Sequence, residues 1–283
     1  MLDTWWFNLI AYLIVVVIFG QSYKIATKSC KKDGALTILL QFLSGALTLV
    51  LAPFYAFQFP SEPTVYIFLA LACIFYAASD RINTTARRGL ESSVFSILEQ
   101  LSTVFVITWG ILFFKEAVVL KKILGALLII AGNVFVIYRK GKFKLNKYII
   151  LSILGNLALS IGMSIDVGIS DHFNVPIYVA ITLIVPSLIL LIAERVNPKD
   201  IIKEFKHGNK WAIMMVGLTW GTAMLLRLRA YQFGDITTIA PLCAIKTILN
   251  VFAAYFFLKE RDSLPKKIIA AIIVILGIII IKI

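Results

Sequence analysis

The chain has few of the residues that build enzyme and metal sites. Its only cysteines, Cys30, Cys73 and Cys243, stand far apart, and its two histidines, His172 and His207, lie in connections between apolar runs. This spacing supports neither a zinc site nor a disulfide framework, and no H-E-x-x-H, G-x-S-x-G or Walker-type sequence occurs. We therefore expect no catalytic residue, no metal, no cofactor and no direct use of ATP.

Charge is scarce as well, because only 15% of the 283 residues are charged whereas 60% are hydrophobic. A water-soluble protein of this length could not bury so much apolar surface. A helix needs roughly 20 apolar residues to cross the hydrocarbon core of a bilayer. The sequence therefore predicts an all-α membrane protein with ten transmembrane helices, of which the third is short, at residues 5–23, 35–57, 64–79, 92–114, 118–138, 148–168, 175–193, 211–229, 236–258 and 268–281.

The second half of the chain repeats the first. Residues 121–132 return as 266–277 with six of twelve positions identical, and the sequence FFKE at 113–116 returns as FLKE at 257–260. Each copy, 1–140 and 146–283, holds five apolar runs, so the second must be inverted relative to the first. Inverted repeats that meet at the bilayer midplane are a common plan of secondary transporters. We predict two inverted five-helix repeats.

Basic residues outnumber acidic ones by 28 to 15, which gives a net charge of +13. The connections after the odd-numbered runs hold 21 Lys and Arg residues, the other side with both termini holds six, and Lys246 lies inside a run. The positive-inside bias explains this asymmetry without a nucleic-acid partner. It predicts a multi-pass protein of the cell membrane with both termini outside the cytoplasm.

Several of these features together resemble the EamA-type branch of the drug/metabolite transporter superfamily. They are the Lys-Glu pair that ends the fourth run of each half, the Gly-punctuated fifth runs, and the turn at Gly89 that leads into residues 92–100. The resemblance covers essentially the whole chain, although Gln100 stands where members often carry proline. It implies a central cavity lined mainly by spans 1, 3, 4, 6, 8 and 9, and alternating access by rocking of the repeats. It also implies cytoplasmic termini, opposite to the charge count.

Lys246 lies in the middle of the ninth apolar run, where a lysine costs about 2.5–3.5 kcal/mol even on a lenient insertion scale. Glu99, on a stripe of small and polar residues of the fourth run, is the expected partner. Two interpretations remain open, namely a charged substrate cavity and a structural ion pair between two helices. In the first interpretation Glu99 is also a candidate for coupling transport to protons.

Other polar and aromatic residues inside the apolar runs complete the predicted site. Arg227 could attract a carboxylate-bearing or anionic substrate, although an arginine this close to a helix end can also snorkel to the interface. Glu116 and Glu260 are interpreted as local charge clusters that fix their loops. The predicted substrate-binding residues are Glu99, Lys246, Asn156, Trp220, Tyr76, Asn250 and Arg227.

Taken together, these features predict a secondary transporter that moves a small polar or zwitterionic metabolite, such as an amino acid, by alternating access. A proton or another ion is the expected coupling partner, and the protein is expected to be a monomer or a homodimer. Two alternatives stay open, a lipid flippase of the same fold and an exchanger of organic anions or phosphates. An intramembrane enzyme is disfavoured because the chain lacks a nucleophile motif or metal cluster.

Overall fold

The computed structural model describes residues 4–55, 57–113, 119–139, 142–143, 145–166, 169, 173–234, 239 and 242–282. Within them the chain is helical, apart from a two-residue antiparallel ladder between β1 (Tyr138–Arg139) and β2 (Lys142–Phe143). The helices are α1 (Trp5–Ser29), α2 (Asp33–Leu49), α3 (Pro63–Gly89), α4 (Ser92–Leu98), α5 (Leu101–Phe113), α6 (Leu120–Ile137), α7 (Lys147–Asp166), α8 (Val175–Ala193), α9 (Pro198–His207), α10 (Lys210–Phe233), α11 (Lys246–Phe257) and α12 (Leu264–Lys282), with a short 3-10 helix at Ala52–Phe54.

Nine helical segments of the described residues are long and apolar enough to cross a membrane. Two of them join neighbouring elements, because α4 with α5 forms one segment and α2 with the 3-10 helix forms another. Helix α11 is apolar but shorter, with 12 residues. The chain is therefore a multi-pass membrane protein.

Two of the predicted spans differ from the helices of the structure. The third span was expected to be short, at residues 64–79, but α3 has 27 residues and begins with Pro63, whose fixed φ suits a first helical turn. The fourth span is interrupted between α4 and α5 rather than continuous. The connection between the seventh and eighth spans contains the ten-residue helix α9.

The two halves of the chain pack against each other through corresponding helix pairs, and the first span of each half packs on the third span of the other. The most extensive contacts join α3 with α7, α1 with α10, α6 with α12, and α2 with α8, while α4 packs on α11. The last helices of the two halves approach closely at Gly125 and Gly277, where a Cβ on Gly125 would lie 2.4 Å from the Gly277 carbonyl oxygen. Small residues permit such backbone contact between membrane helices.

The first helices of the two halves, α1 and α7, run in opposite directions. Near the end of α1, Lys24 donates a hydrogen bond to the carbonyl oxygen of Arg88, 3.0 Å away and close to the end of α3. At the start of α7, the Tyr148 ring packs directly against Gly89 at the same end of α3. The end of α1 and the start of α7 therefore lie together.

This end of the bundle, called the basic end below, brings together the basic connections. Its interactions link segments that are distant in sequence. The Arg88 guanidinium donates to the carbonyl oxygens of Thr27, Cys30 and Lys31 at 2.7–3.2 Å, and the Glu204 carboxylate accepts from the backbone N–H groups of Lys31 and Lys32 at 2.9 and 2.8 Å. Each of these charges is held by backbone groups.

Candidate functional site

A cavity of about 410 Å³ lies between the two halves of the protein. Its walls come from α1, α3, α7, α8 and α10, together with residues beside the interruptions of the fourth and ninth spans. This volume falls in the range of small-molecule sites, which are usually concave, largely apolar and equipped with a few polar groups.

Two opposite charges stand at matching helix interruptions. Glu99 and Gln100 form the turn between α4 and α5, and Ala244 and Ile245 form the turn that precedes Lys246 at the start of α11. The turns are 145 residues apart, the same offset as the repeated segment 121–132. The Lys246 Nζ lies 3.5 Å from the Glu99 Oε1, so the two halves of the chain each contribute one charge to the cavity.

The wall nearest the basic end is aromatic and contains one arginine. The Arg87 guanidinium stacks over the Phe95 ring at 3.9 Å and lies 4.8 Å from the centre of the Tyr23 ring. The Trp220 ring lies 5.5 Å from Tyr23 and 5.4 Å from Phe19. Such contacts stabilise a cation without neutralising its charge.

A second carboxylate, Asp80, lines the cavity two turns before Arg87 on α3. Its Oδ2 accepts a hydrogen bond of 2.7 Å from Nε2 of Gln41, which is fully buried on α2. On the next turn of α3, the Thr84 hydroxyl lies 2.7 Å from the Tyr23 hydroxyl. The polar face of α3 is thus fixed by neighbours on α1 and α2.

Arg227 stands farther from the basic end, on α10. Tyr12, Tyr76 and Tyr231 line the same cavity. Within the described chain, Arg227 makes no ion pair with a carboxylate. Its charge therefore faces a space that is bordered by phenol rings.

The structure brings five of the seven predicted site residues together at the cavity, namely Glu99, Lys246, Trp220, Tyr76 and Arg227. Asn156 is instead fully buried between helices. Its amide donates a hydrogen bond to the Leu98 carbonyl oxygen, 3.2 Å away, beside the interruption after α4. Asn250 lines a smaller adjoining chamber.

Sequence reasoning missed Asp80, Asn83 and Arg87 because it ended the third span at residue 79. Together with Tyr76 they are spaced by four, three and four residues, which places all of them on one face of a helix. This spacing was the available signal. Helix α3 continues through these charged residues, because the face that carries them is turned toward the cavity.

Glu260 has a different role from the local charge cluster that the sequence indicated. Its carboxylate accepts hydrogen bonds from the Ser92 and Ser93 backbone N–H groups at 2.7 and 3.0 Å, and from the Ser93 hydroxyl at 2.7 Å. A carboxylate satisfies the unpaired N–H groups that begin a helix. Glu260 therefore caps α4 in the other half of the chain, while Glu116 lies outside the described residues.

No metal site is evident among the described residues, because no three His, Cys, Asp or Glu side chains cluster there. Cys30, Cys73 and Cys243 are buried thiols that form no disulfide among the described residues. The chemistry that this cavity offers is recognition by fixed charges, phenol hydroxyls and aromatic rings.

The comparison with known families follows the two halves of the chain. One family model matches twice, at residues 6–138 and at 146–283. This match defines a membrane transporter of the drug/metabolite type, built from two repeated halves. The matching model is that of the EamA-like transporter family, and the chain belongs to this family.

Comparison with solved structures supports the same fold. One of them, titled "Crystal structure of protein", aligns over 97% of this chain and 96% of its own, with a TM-score of 0.51 and 13% sequence identity. At this identity the likeness is evidence for the fold alone. No curated protein matches the chain.

Proposed function

We propose that the protein is a secondary transporter that carries a small polar or zwitterionic metabolite, such as an amino acid, by alternating access. The observation that carries the proposal is the cavity between the two halves, which holds both carboxylates and cations beside aromatic walls. A zwitterion needs charges of both signs, and Asp80 and Arg227 are available without an ion-pair partner in the described chain. Glu99, Lys246, Trp220 and Tyr76 complete the proposed substrate site.

Alternating access requires contacts that can open on one side of the cavity. Glu260 bonds to Ser92 and Ser93, and the buried Lys267 lies 2.8 Å from Glu91, so both contacts join one half of the chain to the other at the basic end. We propose that these contacts close the basic end and must separate when the transporter opens there.

We propose that the basic end faces the cytoplasm, in line with the positive-inside bias. In that orientation both termini are external. A reporter that is active only in the cytoplasm, fused after Ile283, should then be inactive, whereas the same reporter in the 139–147 connection should be active. The reverse result would contradict this orientation and favour cytoplasmic termini.

The transport proposal can be tested without knowing the substrate. Purified protein is screened by thermal unfolding against amino acids, choline-like cations, nucleosides and organic phosphates, because a bound ligand stabilises by mass action. Each compound that stabilises the protein is then tested for uptake into proteoliposomes. We expect at least one polar compound to be taken up, and Trp220→Ala to reduce that uptake more than the control Trp211→Ala, whose side chain is 80% exposed.

An exchanger of organic anions or phosphates is the second candidate, because Arg87, Arg227 and Lys246 outnumber the two carboxylates that line the cavity. Stabilisation by organic phosphates but not by amino acids would favour it. A lipid flippase would instead move a labelled phospholipid between leaflets of the same vesicles. Lipid movement without uptake of any solute would contradict both proposals for solute transport.

A further inference from the structure

Three cations, Lys246, Arg87 and Arg227, line the cavity together with two carboxylates. Glu99 lies 3.5 Å from Lys246, and neither arginine forms an ion pair with a carboxylate in the described chain. The other carboxylate, Asp80, is engaged by Gln41 at 2.7 Å from the α2 side. The cavity therefore holds more positive charge than its own side chains neutralise.

The contact between Glu99 and Lys246 is loose. The two charged atoms lie 3.5 Å apart, whereas charge-assisted hydrogen bonds of this type usually measure about 2.7–2.9 Å. The Glu99 side chain remains 26% exposed and that of Lys246 15% exposed. Because both groups keep access to water, Lys246 can exchange one anionic partner for another without leaving a dry, unpaired charge.

Arg227 offers a second contact for such a partner. It lines the same cavity as Lys246, has no ion-pair partner in the described chain, and is accompanied by Tyr12 and Tyr231. A guanidinium presents several donors in a fork that fits the two oxygens of a carboxylate or phosphate. Phenol hydroxyls can add further hydrogen bonds.

We infer that Glu99 is a resident counter-ion, and that the acidic group of the transported solute displaces it from Lys246 and binds between Lys246 and Arg227. The inference rests on the proposed transport function and names the part of the solute that the site recognises. The acidic group is a carboxylate or a phosphate. Glu99 does not bind the amino group of a zwitterion in this arrangement, and Asp80 is the carboxylate left for that group.

The sign of the effect of Glu99→Gln distinguishes the two roles of Glu99. Removing a competitor strengthens the binding of an acid, whereas removing the partner of an ammonium group weakens the binding of an amine. Suitable probes share one phenyl ring, which suits the aromatic wall of Phe19, Tyr23 and Trp220. They are 3-phenylpropanoate, phenyl phosphate, phenylalanine and 2-phenylethylamine.

Dissociation constants are measured by calorimetry on the purified full chain. We expect 3-phenylpropanoate or phenyl phosphate to bind the wild type. The same probe should bind the Glu99→Gln variant with a Kd about tenfold lower. Arg227→Gln should weaken the same probe at least tenfold. Asp80→Asn also removes one negative charge from the cavity, so it serves as the matched control, and it should strengthen acid binding much less than Glu99→Gln.

The other possible results either support or overturn the proposed role of Glu99 as a counter-ion. Unchanged or weaker binding of both acids by Glu99→Gln, or no binding of either acid to any variant, overturns the inference. Uptake of 2-phenylethylamine alone into proteoliposomes overturns it too, while leaving the transport function intact. Tight acid binding without uptake of any solute supports the anion site and contradicts the transport function.

Discussion

The basic end and the cavity both contain several charged side chains, but they use them differently. At the basic end the buried charges have close partners, as with Lys24, whose Nζ donates to the carbonyl oxygens of Arg87, Arg88 and Leu90. In the cavity, Arg227 has no ion-pair partner within the described chain, and the Glu99–Lys246 pair is loose at 3.5 Å.

We attribute the difference to the roles that we propose for the two regions. A buried charge costs several kcal/mol unless hydrogen bonds compensate it, so charges that only support the fold are expected to be fully bonded. A charge that binds a passing solute needs an unfilled position beside it and water to occupy that position between transport events. The degree of pairing therefore distinguishes the buried charges of the basic end from the cavity charges that we propose to bind the solute.

The largest effect is expected at the basic end, from Glu260→Ala. This change leaves the first N–H groups of α4 without their acceptor, and Glu260 is only 8% exposed. We expect the free energy of unfolding to fall by about 3 kcal/mol, since hydrogen bonds to charged groups contribute about 1.5–3 kcal/mol each. Thermal unfolding in detergent measures the loss, and Asp262→Ala, an exposed change in the same connection, is the control. A loss no larger than that of the control would contradict the cap.

In the cavity, Lys246→Met should have a smaller effect on stability, of about 2 kcal/mol. Removing one partner of a buried ion pair usually lowers the free energy of unfolding by more than this, but the side chains of Lys246 and Glu99 both retain some exposure to water. The double variant Glu99→Gln with Lys246→Met should recover most of the loss. If the single effects simply add, the two residues do not interact, and the description of Glu99 as a counter-ion would be wrong.

The sequence was sufficient for the membrane class and the duplication, because apolar runs and repeated segments are local signals. It also indicated Glu99 and Lys246, since a charge in the middle of an apolar run needs a physical reason. It was insufficient for Asp80 and Arg87, because a charge near the end of a run looks the same whether the helix stops or continues. The role of Glu260 as a helix cap could not be predicted from local sequence, because its partner Ser92 lies 168 residues away.

Asp80→Asn sharpens the comparison, because it removes a cavity charge that forms no ion pair in the described chain. The asparagine oxygen can still accept the hydrogen bond from Gln41. We expect the unfolding temperature to stay within about 2 °C of the wild type, an effect below about 0.5 kcal/mol for a chain of this size. The affinity for 2-phenylethylamine should fall while that for 3-phenylpropanoate does not. A large loss of stability would place Asp80 among the structural charges.

The smallest effect is expected for the exposed pair between Lys32 and Asp200, 2.7 Å apart at the surface of the basic end. The hydrogen bond from Lys32 lowers the pKa of Asp200 below its ordinary value of 3.8. The pair therefore stabilises the folded protein above pH 3.8, and this contribution is lost as the pH falls through the lower pKa of the folded state. Because the Lys32 side chain is 62% exposed, solvent and salt screen the interaction. Lys32→Met should lower the unfolding temperature at pH 7 only slightly more than the control Lys28→Met, and 0.5 M salt should remove the difference. A loss comparable to that of Glu260→Ala would show that pairing at the basic end matters even where water reaches it, and burial would then not explain the contrast with the cavity.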